Sequence, residues 1–367
     1  MCTGPGIRSW RNGSLPTYEP LPRWLRVADT SDYDLHHHGD REVGPGLVDL
    51  AVNVRLPRPP EWLRRELVSA VDSLAAYPDP SAAQAAVAAR HGRPVDEVLV
   101  TAGAAEAFTL LASALKPRHA VVVHPQFTEP EAALRAAGHD VSRVVLPSSD
   151  GFVLDPGLVP ASADLVFVGN PTNPTSVLHP AHVLRALAQP GRLLVVDEAF
   201  LDAIPGEAES LAGSSLDGVV VLRSLTKTWG LAGLRAGYVL GPPQVLARLR
   251  AVQPPWSVST PAAVATVACC RPTALEEAEK LAATAESDRD YLVSRLSGLG
   301  IPVLGDPRGP FVLIEAPDES LRSRLRSAGY AVRRGDTFPG LGPRHLRLAV
   351  RSREVTDGFV AALARSL

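Results

Sequence analysis

An α/β fold is what this sequence predicts: a large domain with a mostly parallel, seven-stranded-type sheet flanked by helices, and a smaller C-terminal α/β domain. Three observations predict it. Short β-branched apolar runs recur between residues 97 and 240, Ala/Leu-rich stretches with helical spacing lie between several of them, and the pattern breaks at Gly241-Pro242-Pro243. At 367 residues the chain can hold more than one core. The expected division is an N-terminal arm over 1–46 packing on the small domain, a large domain over 47–245 and a small domain over 246–367.

In chain order, residues 1–45 are rich in Pro, Gly, Arg and Trp and read as an irregular arm ending shortly after His36-His37-His38-Gly39-Asp40. Three adjacent histidines suggest a metal, but on an extended segment they alternate in direction. No Cys or further His stands at ligand spacing, so no metal is expected. Strands are expected at 97–101, 120–124, 164–169, 193–197, 218–222 and 236–240, with helices at 104–115 and 129–137. After the break, 244–252 and 274–296 read as helices, and strands at 311–315 and 345–350 flank a helix at 320–328. No internal repeat or low-complexity linker is present.

Composition narrows the function classes. A formal net charge of −2 gives no bulk attraction to nucleic acid or anionic membrane. No apolar segment approaches the roughly 20 residues needed to span a bilayer. The N-terminus lacks a basic stretch followed by an apolar core, and three cysteines, two of them the neighbours Cys269 and Cys270, cannot build a disulfide framework. A cytoplasmic protein without nucleic-acid or membrane partners is expected.

Ligands of parallel sheets collect at the carboxyl ends of strands, and the polar signatures fall there. In Arg223-Ser224-Leu225-Thr226-Lys227, followed by Arg235, an amine, a hydroxyl and a guanidinium suit a phosphorylated aldehyde; by itself Lys227 also reads as a solvated surface lysine. Asp197 ends an apolar run, where a buried carboxylate needs a cation such as a pyridinium nitrogen. A helix cap or a metal ligand is its ordinary alternative. Asn173, in Asn170-Pro171-Thr172-Asn173-Pro174, can donate to a ring phenolate or simply shape a turn. Gly103 and Ala104 open a helix whose N–H groups can approach a phosphate, as in many βα turns. Phe127 can stack on an aromatic cofactor or fill the core.

Taken together and in this order, the segments resemble fold-type I pyridoxal-phosphate enzymes of the aspartate aminotransferase superfamily. The resemblance implies pyridoxal 5'-phosphate as cofactor and a small-molecule amino-acid substrate. It makes Lys227 the Schiff-base lysine, Asp197 the partner of the ring nitrogen and Asn173 the donor to the ring hydroxyl. Gly103, Ala104, Ser224 and Arg235 would hold the phosphate, and Phe127 would stack on the ring. Tyr77, in Tyr77-Pro78-Asp79-Pro80, matches a tyrosine that reaches the phosphate of the neighbouring subunit, which implies a homodimer. Arg347 matches the arginine that grips the substrate carboxylate.

Two subfamilies are similar to this chain, and the details favour the threonine-phosphate decarboxylases of cobalamin synthesis. Asp-Glu-Ala-Phe-Leu-Asp at 197–202 resembles their motif, with Phe200 where histidinol-phosphate aminotransferases usually carry Tyr. Trp256-Ser257-Val258-Ser259, Arg333 with Phe338-Pro339-Gly340-Leu341, the stretch at 346–351 and His38-Gly39-Asp40 resemble the same group, and actinobacterial relatives of the cobalamin pathway share this general look. Asn53, Arg55, Arg333, Arg347 and His38 are the implied substrate contacts. Arg55 departs from the pattern, because Asn53-Val54-Arg55-Leu56-Pro57 replaces Asn-x-Asn-Pro; Ser176 and Ser259 replace a glycine and an asparagine. An L-threonine O-3-phosphate decarboxylase-like enzyme acting on an anionic amino acid is expected, with a histidinol-phosphate-type aminotransferase as the alternative.

Overall fold

The apolar runs become the strands of a seven-stranded sheet. The computed structural model describes residues 33–367, so most of the expected N-terminal arm lies outside the described residues. In chain order the strands are β1 (Val48–Leu50), β2 (Val98–Thr101), β3 (Ala120–His124), β4 (Val141–Val145), β5 (Leu165–Gly169), β6 (Leu193–Asp197), β7 (Val219–Ser224), β8 (Gly237–Leu240), β9 (Phe311–Glu315), β10 (Tyr330–Arg334) and β11 (His345–Ala349).

The large sheet has the order β2-β8-β7-β6-β5-β3-β4, with β8 antiparallel to both neighbours and the other pairs parallel. Successive side chains leave opposite faces of a strand. Val121, Val166, Leu194, Val196 and Val221 therefore enter one core, while Val122, Leu165, Phe167, Val195 and Val220 enter another. Burial on both faces explains why these strands read as unbroken apolar runs. β4 escaped the sequence reading because it pairs only with β3 at the sheet edge, and it carries Ser142 and Arg143 with no fully buried residue.

The small sheet, ordered β1-β10-β11-β9, packs against the long helix Pro272–Gly298 and the helix Arg353–Ser366; Leu292, Leu296, Phe359 and Leu363 share its core. The division expected between residues 245 and 246 is crossed in both directions. β1 pairs with β10, whereas the helix Thr260–Cys269 packs on the helices Glu61–Ala70 and Ser81–His91 and joins the core of the large sheet. Residues 33–367 form one unit by their contacts. No helix among the described residues is long and apolar enough to cross a membrane.

Candidate active site

Asp197 and Lys227 stand at the ends of adjacent parallel strands, and the sheet brings their charges together. Asp197 closes β6, half-buried, and accepts a hydrogen bond of 3.0 Å from the backbone N–H of Ala199. Burial pushes its carboxyl up to about 6, against the opposing pull of that N–H and of Lys227. Lys227 follows β7 by three residues. Burial first, then the Arg235 and Arg347 guanidiniums, brings its amine down to about 8, with Asp197 working the other way. Its Nζ lies 5.6 Å from the centre of the Phe200 ring.

A cradle for an anion forms beside them. The helix Gly103–Ala114 follows β2 and starts with Gly103 at φ 75°. A Cβ on Gly103 would come within 2.6 Å of Arg235 Nη2, so the missing side chain is what lets the guanidinium lie over the helix start. Arg235 is exposed and itself left-handed at φ 59°, with Nη1 donating to the Ala232 carbonyl at 3.0 Å. Ser224 pairs in register with Gly237, where a Cβ would stand 3.0 Å from Gly103 Cα. Helix start, Ser224 hydroxyl and Arg235 therefore converge, with Ala104 half-buried in the first helical turn. The Ser224 and Thr226 hydroxyls share a hydrogen bond of 2.8 Å. Phe127, half-buried, lies 6.2 Å from Phe108 and 5.5 Å from the His38 ring.

Across from Lys227 sits a buried arginine. Arg347 is 4% exposed and donates from Nη1 to Asn173 Oδ1 at 2.5 Å and from Nη2 to the Ala51 carbonyl, leaving its buried Nε without a partner. Burial, then Arg333 and Arg351, lowers its pKa to about 9, so it stays charged at neutral pH. Gly39 packs on this group: a Cβ there would meet the Ala51 carbonyl oxygen at 2.5 Å and Nη2 at 3.6 Å.

The remaining expected substrate contacts diverge. Arg333 is buried but spent on the carbonyls of His37 at 2.6 Å and Arg334 at 3.0 Å and on the Thr337 hydroxyl at 2.6 Å, which makes it a strut within the small sheet. His38 is bonded to Glu129 at 2.6 Å, and His37 to Glu42 at 3.0 Å. Arg55 turns to Asp288 on the long helix, 3.2 Å away, with its Nη1 buried and unpartnered. Asn53 is 6% exposed, and both polar atoms of its side chain lack partners among the described residues. Tyr77 faces outward at 77% exposure, stacked on Trp256 with ring centres 4.3 Å apart.

One charged cluster was missed from sequence. Arg223, 1% exposed, donates to Glu198 at 3.0 Å, Asp202 at 2.5 Å and Glu207 at 2.5 Å, and Arg90 pairs with the last two. Its signal was present: Arg223 and Glu198 lie next to Ser224 and Asp197, on strand ends expected to be buried, where a lone charge is costly.

Residues 45–363 match the family described as Aminotransferase class I and II. Over 319 residues the chain is 54% identical to a histidinol-phosphate aminotransferase of Mycobacterium tuberculosis, covering 86% of each chain. It is 32% identical to a threonine-phosphate decarboxylase of Salmonella typhimurium, covering 88% of this chain and 91% of that one. The structure superposes on an aspartate aminotransferase from Thermus thermophilus with maleate at a TM-score of 0.78 and 26% identity, covering 88% of this chain and 92% of the other.

Proposed function

We propose that this chain, which belongs to the class I and II aminotransferase family and uses its cofactor pyridoxal 5'-phosphate, is an aminotransferase of the histidinol-phosphate type acting on a small anionic amine. The observation that carries the reading is the buried Arg347–Asn173 pair facing the low-pKa amine of Lys227, an anion clamp beside a base. The 54% identity to the mycobacterial aminotransferase supports it over the decarboxylase that the motif at 197–202 favoured.

The residues fit the cofactor. Gly103 leaves the space that a Cβ would fill, and Asp197 is a carboxylate whose one hydrogen-bond donor among the described residues is a backbone N–H. Among the described residues, none hydrogen-bonds the Lys227 amine. Lys227 would hold the aldehyde, Asp197 the ring nitrogen, Asn173 the ring hydroxyl through the amide nitrogen that Arg347 leaves free, Phe127 the ring face, and Gly103, Ala104, Ser224 and Arg235 the phosphate. Bound there, the cofactor supplies an electron sink for the pair left at the substrate Cα. An amine near pKa 8 exchanges protons readily at neutral pH, so Lys227 suits proton transfer at that carbon. Arg347 orients the substrate through its anion, and its own two anchors prevent it from following the substrate.

A second copy of the chain is part of the same reading. Tyr77 is exposed, as are Val68, Val71 and Leu74 shortly before it, an apolar surface suited to burial in a homodimer. A cytoplasmic location rests on composition. A second reading, threonine-phosphate decarboxylase, keeps the support of Phe200, which places a ring without a hydroxyl against Lys227.

Incubating the holoenzyme with 2-oxoglutarate and either L-histidinol phosphate or O-phospho-L-threonine separates the two. Glutamate formed with the first donor is the expected result; carbon dioxide released from the second, without glutamate from either, would replace this reading by the decarboxylase.

A further inference from the structure

We infer that Ser176 is a positioning residue for the anion clamp: its hydroxyl fastens the loop carrying Asn173 to the segment leading into β9, and so fixes the amide and the aromatic face that flank Arg347 relative to each other. The inference rests on the clamp role proposed above for Arg347 and adds a residue that acts through it without touching substrate.

The first ground is a strained backbone. Ser176 is fully buried at φ 66°, a left-handed conformation that disfavours a residue with a Cβ and suits the glycine it replaces. Strain of this kind persists where the surroundings compensate for it. Here the hydroxyl does so. Ser176 Oγ accepts a hydrogen bond of 2.8 Å from the backbone N–H of Gly309, whose other acceptor, the Ser176 carbonyl, is 3.4 Å away. Without Oγ that buried N–H keeps one long bond. Gly309 in turn has to be bare, because a Cβ there would stand 3.1 Å from Oγ and 3.4 Å from Pro171 Cγ.

The second ground is where the two fastened segments lead. The Ser176 N–H donates to the Thr172 carbonyl at 2.6 Å and the Thr172 N–H to the Val177 carbonyl at 2.9 Å, which closes a loop with Asn173 inside it. Asn173 Oδ1 accepts from Arg347. In the other direction, the Ser176 carbonyl accepts from the Arg308 N–H at 2.7 Å, and Phe311 opens β9 two residues past Gly309. The guanidinium carbon of Arg347 lies 5.6 Å from the centre of the Phe311 ring. That ring meets Phe200 edge-on, with centres 4.9 Å apart, and Phe200 is the ring beside Lys227.

The third ground is the fastening from behind. Arg289, buried on the long helix, donates to the Arg308 carbonyl at 2.6 Å. The segment is thus held by the long helix on one side, and Ser176 sets its distance from the Asn173 loop on the other. Slack at Ser176 would let the Phe311 face slide past Asn173 and turn the guanidinium between them.

Two variants separate positioning from stability. Ser176→Ala removes the hydroxyl and keeps the strain, whereas Ser176→Gly removes both. Ser176→Gly should therefore unfold at a thermal midpoint roughly 1–3 °C above that of Ser176→Ala, while both lose the same fastening. Holoenzyme of each is titrated with L-histidinol phosphate and with O-phospho-L-threonine while the visible absorption of the bound cofactor is followed, a readout of binding that needs no turnover. The expected result is a similar loss in both variants for any probe that binds wild type. It should be roughly 3- to 10-fold, short of the roughly 10- to 150-fold of a charged hydrogen bond lost outright. Affinities equal to wild type, or a loss confined to one variant, would overturn the inference and leave the proposed reaction untouched. Should wild type transfer no amino group while both variants bind more weakly, the reaction fails and the role of Ser176 stands. Wild type that binds neither probe would overturn the clamp and the inference with it.

Discussion

Replacing Gly103 by Ala separates two roles that this residue combines. The first is conformational: at φ 75° an alanine is left-handed, which costs about 1–2 kcal/mol of folding stability whether or not the cofactor is bound. The second is spatial. The added methyl would lie 2.6 Å from Arg235 Nη2, the tip of a flexible and exposed side chain, so Arg235 swings aside rather than the backbone moving. Its displacement removes a charged hydrogen bond from the cofactor phosphate, worth roughly 1.5–3 kcal/mol, or about 10- to 150-fold in cofactor affinity. Titration of apoenzyme with pyridoxal 5'-phosphate reads the second effect, and the thermal midpoint of the apoenzyme reads the first. A lowered midpoint with unchanged affinity would refute the claim that Gly103 exists to admit Arg235. Unchanged values of both would refute the strain as well.

Asp197 makes apoenzyme stability depend on pH. Its folded carboxyl titrates near 6 against about 4 in an unfolded chain, so the neutral form is favoured in the fold and stability falls as pH rises from about 4 through 6. Asp197→Asn should flatten that slope in apoenzyme unfolding curves, and a slope unchanged in the variant would refute the assignment. Arg223→Met leaves three carboxylates facing a methyl group where a guanidinium stood, and removing one partner of a buried ion pair costs about 3–5 kcal/mol. Denaturant unfolding should show that loss; a cost below about 1 kcal/mol would mean that the cluster protonates and relaxes.

The sheet was legible from sequence wherever a strand is buried on both faces. β3, β5, β6 and β7 could be read from their apolar runs alone, whereas β4 at the edge and the three-residue β1 gave no comparable signal. The positions of Lys227, Asp197 and Asn173 beyond strand ends were legible for a related reason: a parallel sheet makes every strand end a potential ligand contact, so a polar residue after an apolar run is conspicuous. Long-range choices were not legible. Arg55 could point to substrate or solvent from sequence; the fold gives it Asp288, which lies 233 residues later on another element. The reason for a glycine at 39 was not legible, because it lies in the close approach of Ala51 and Arg347, a property of tertiary packing.

The motif at 197–202 says less about the reaction than its likeness to a decarboxylase signature suggests. Only Asp197 of the six lies on β6; the other five follow in a turn and a short 3-10 helix, so their side chains leave in more than one direction. Asp197 and Phe200 are the members that come near Lys227. Glu198 and Asp202 bond Arg223 on β7, next to Ser224, and thereby fix the ends of β6 and β7 against each other. Any enzyme placing an acid on one of these strands and a lysine after the other gains from that clamp, whatever bond it breaks. Of the six letters that resembled a decarboxylase, two are therefore structural, and the role proposed for Asp197 toward the cofactor is the same in either reaction. Phe200 alone bears on the chemistry, and one residue weighs less than 54% identity spread over 319 positions.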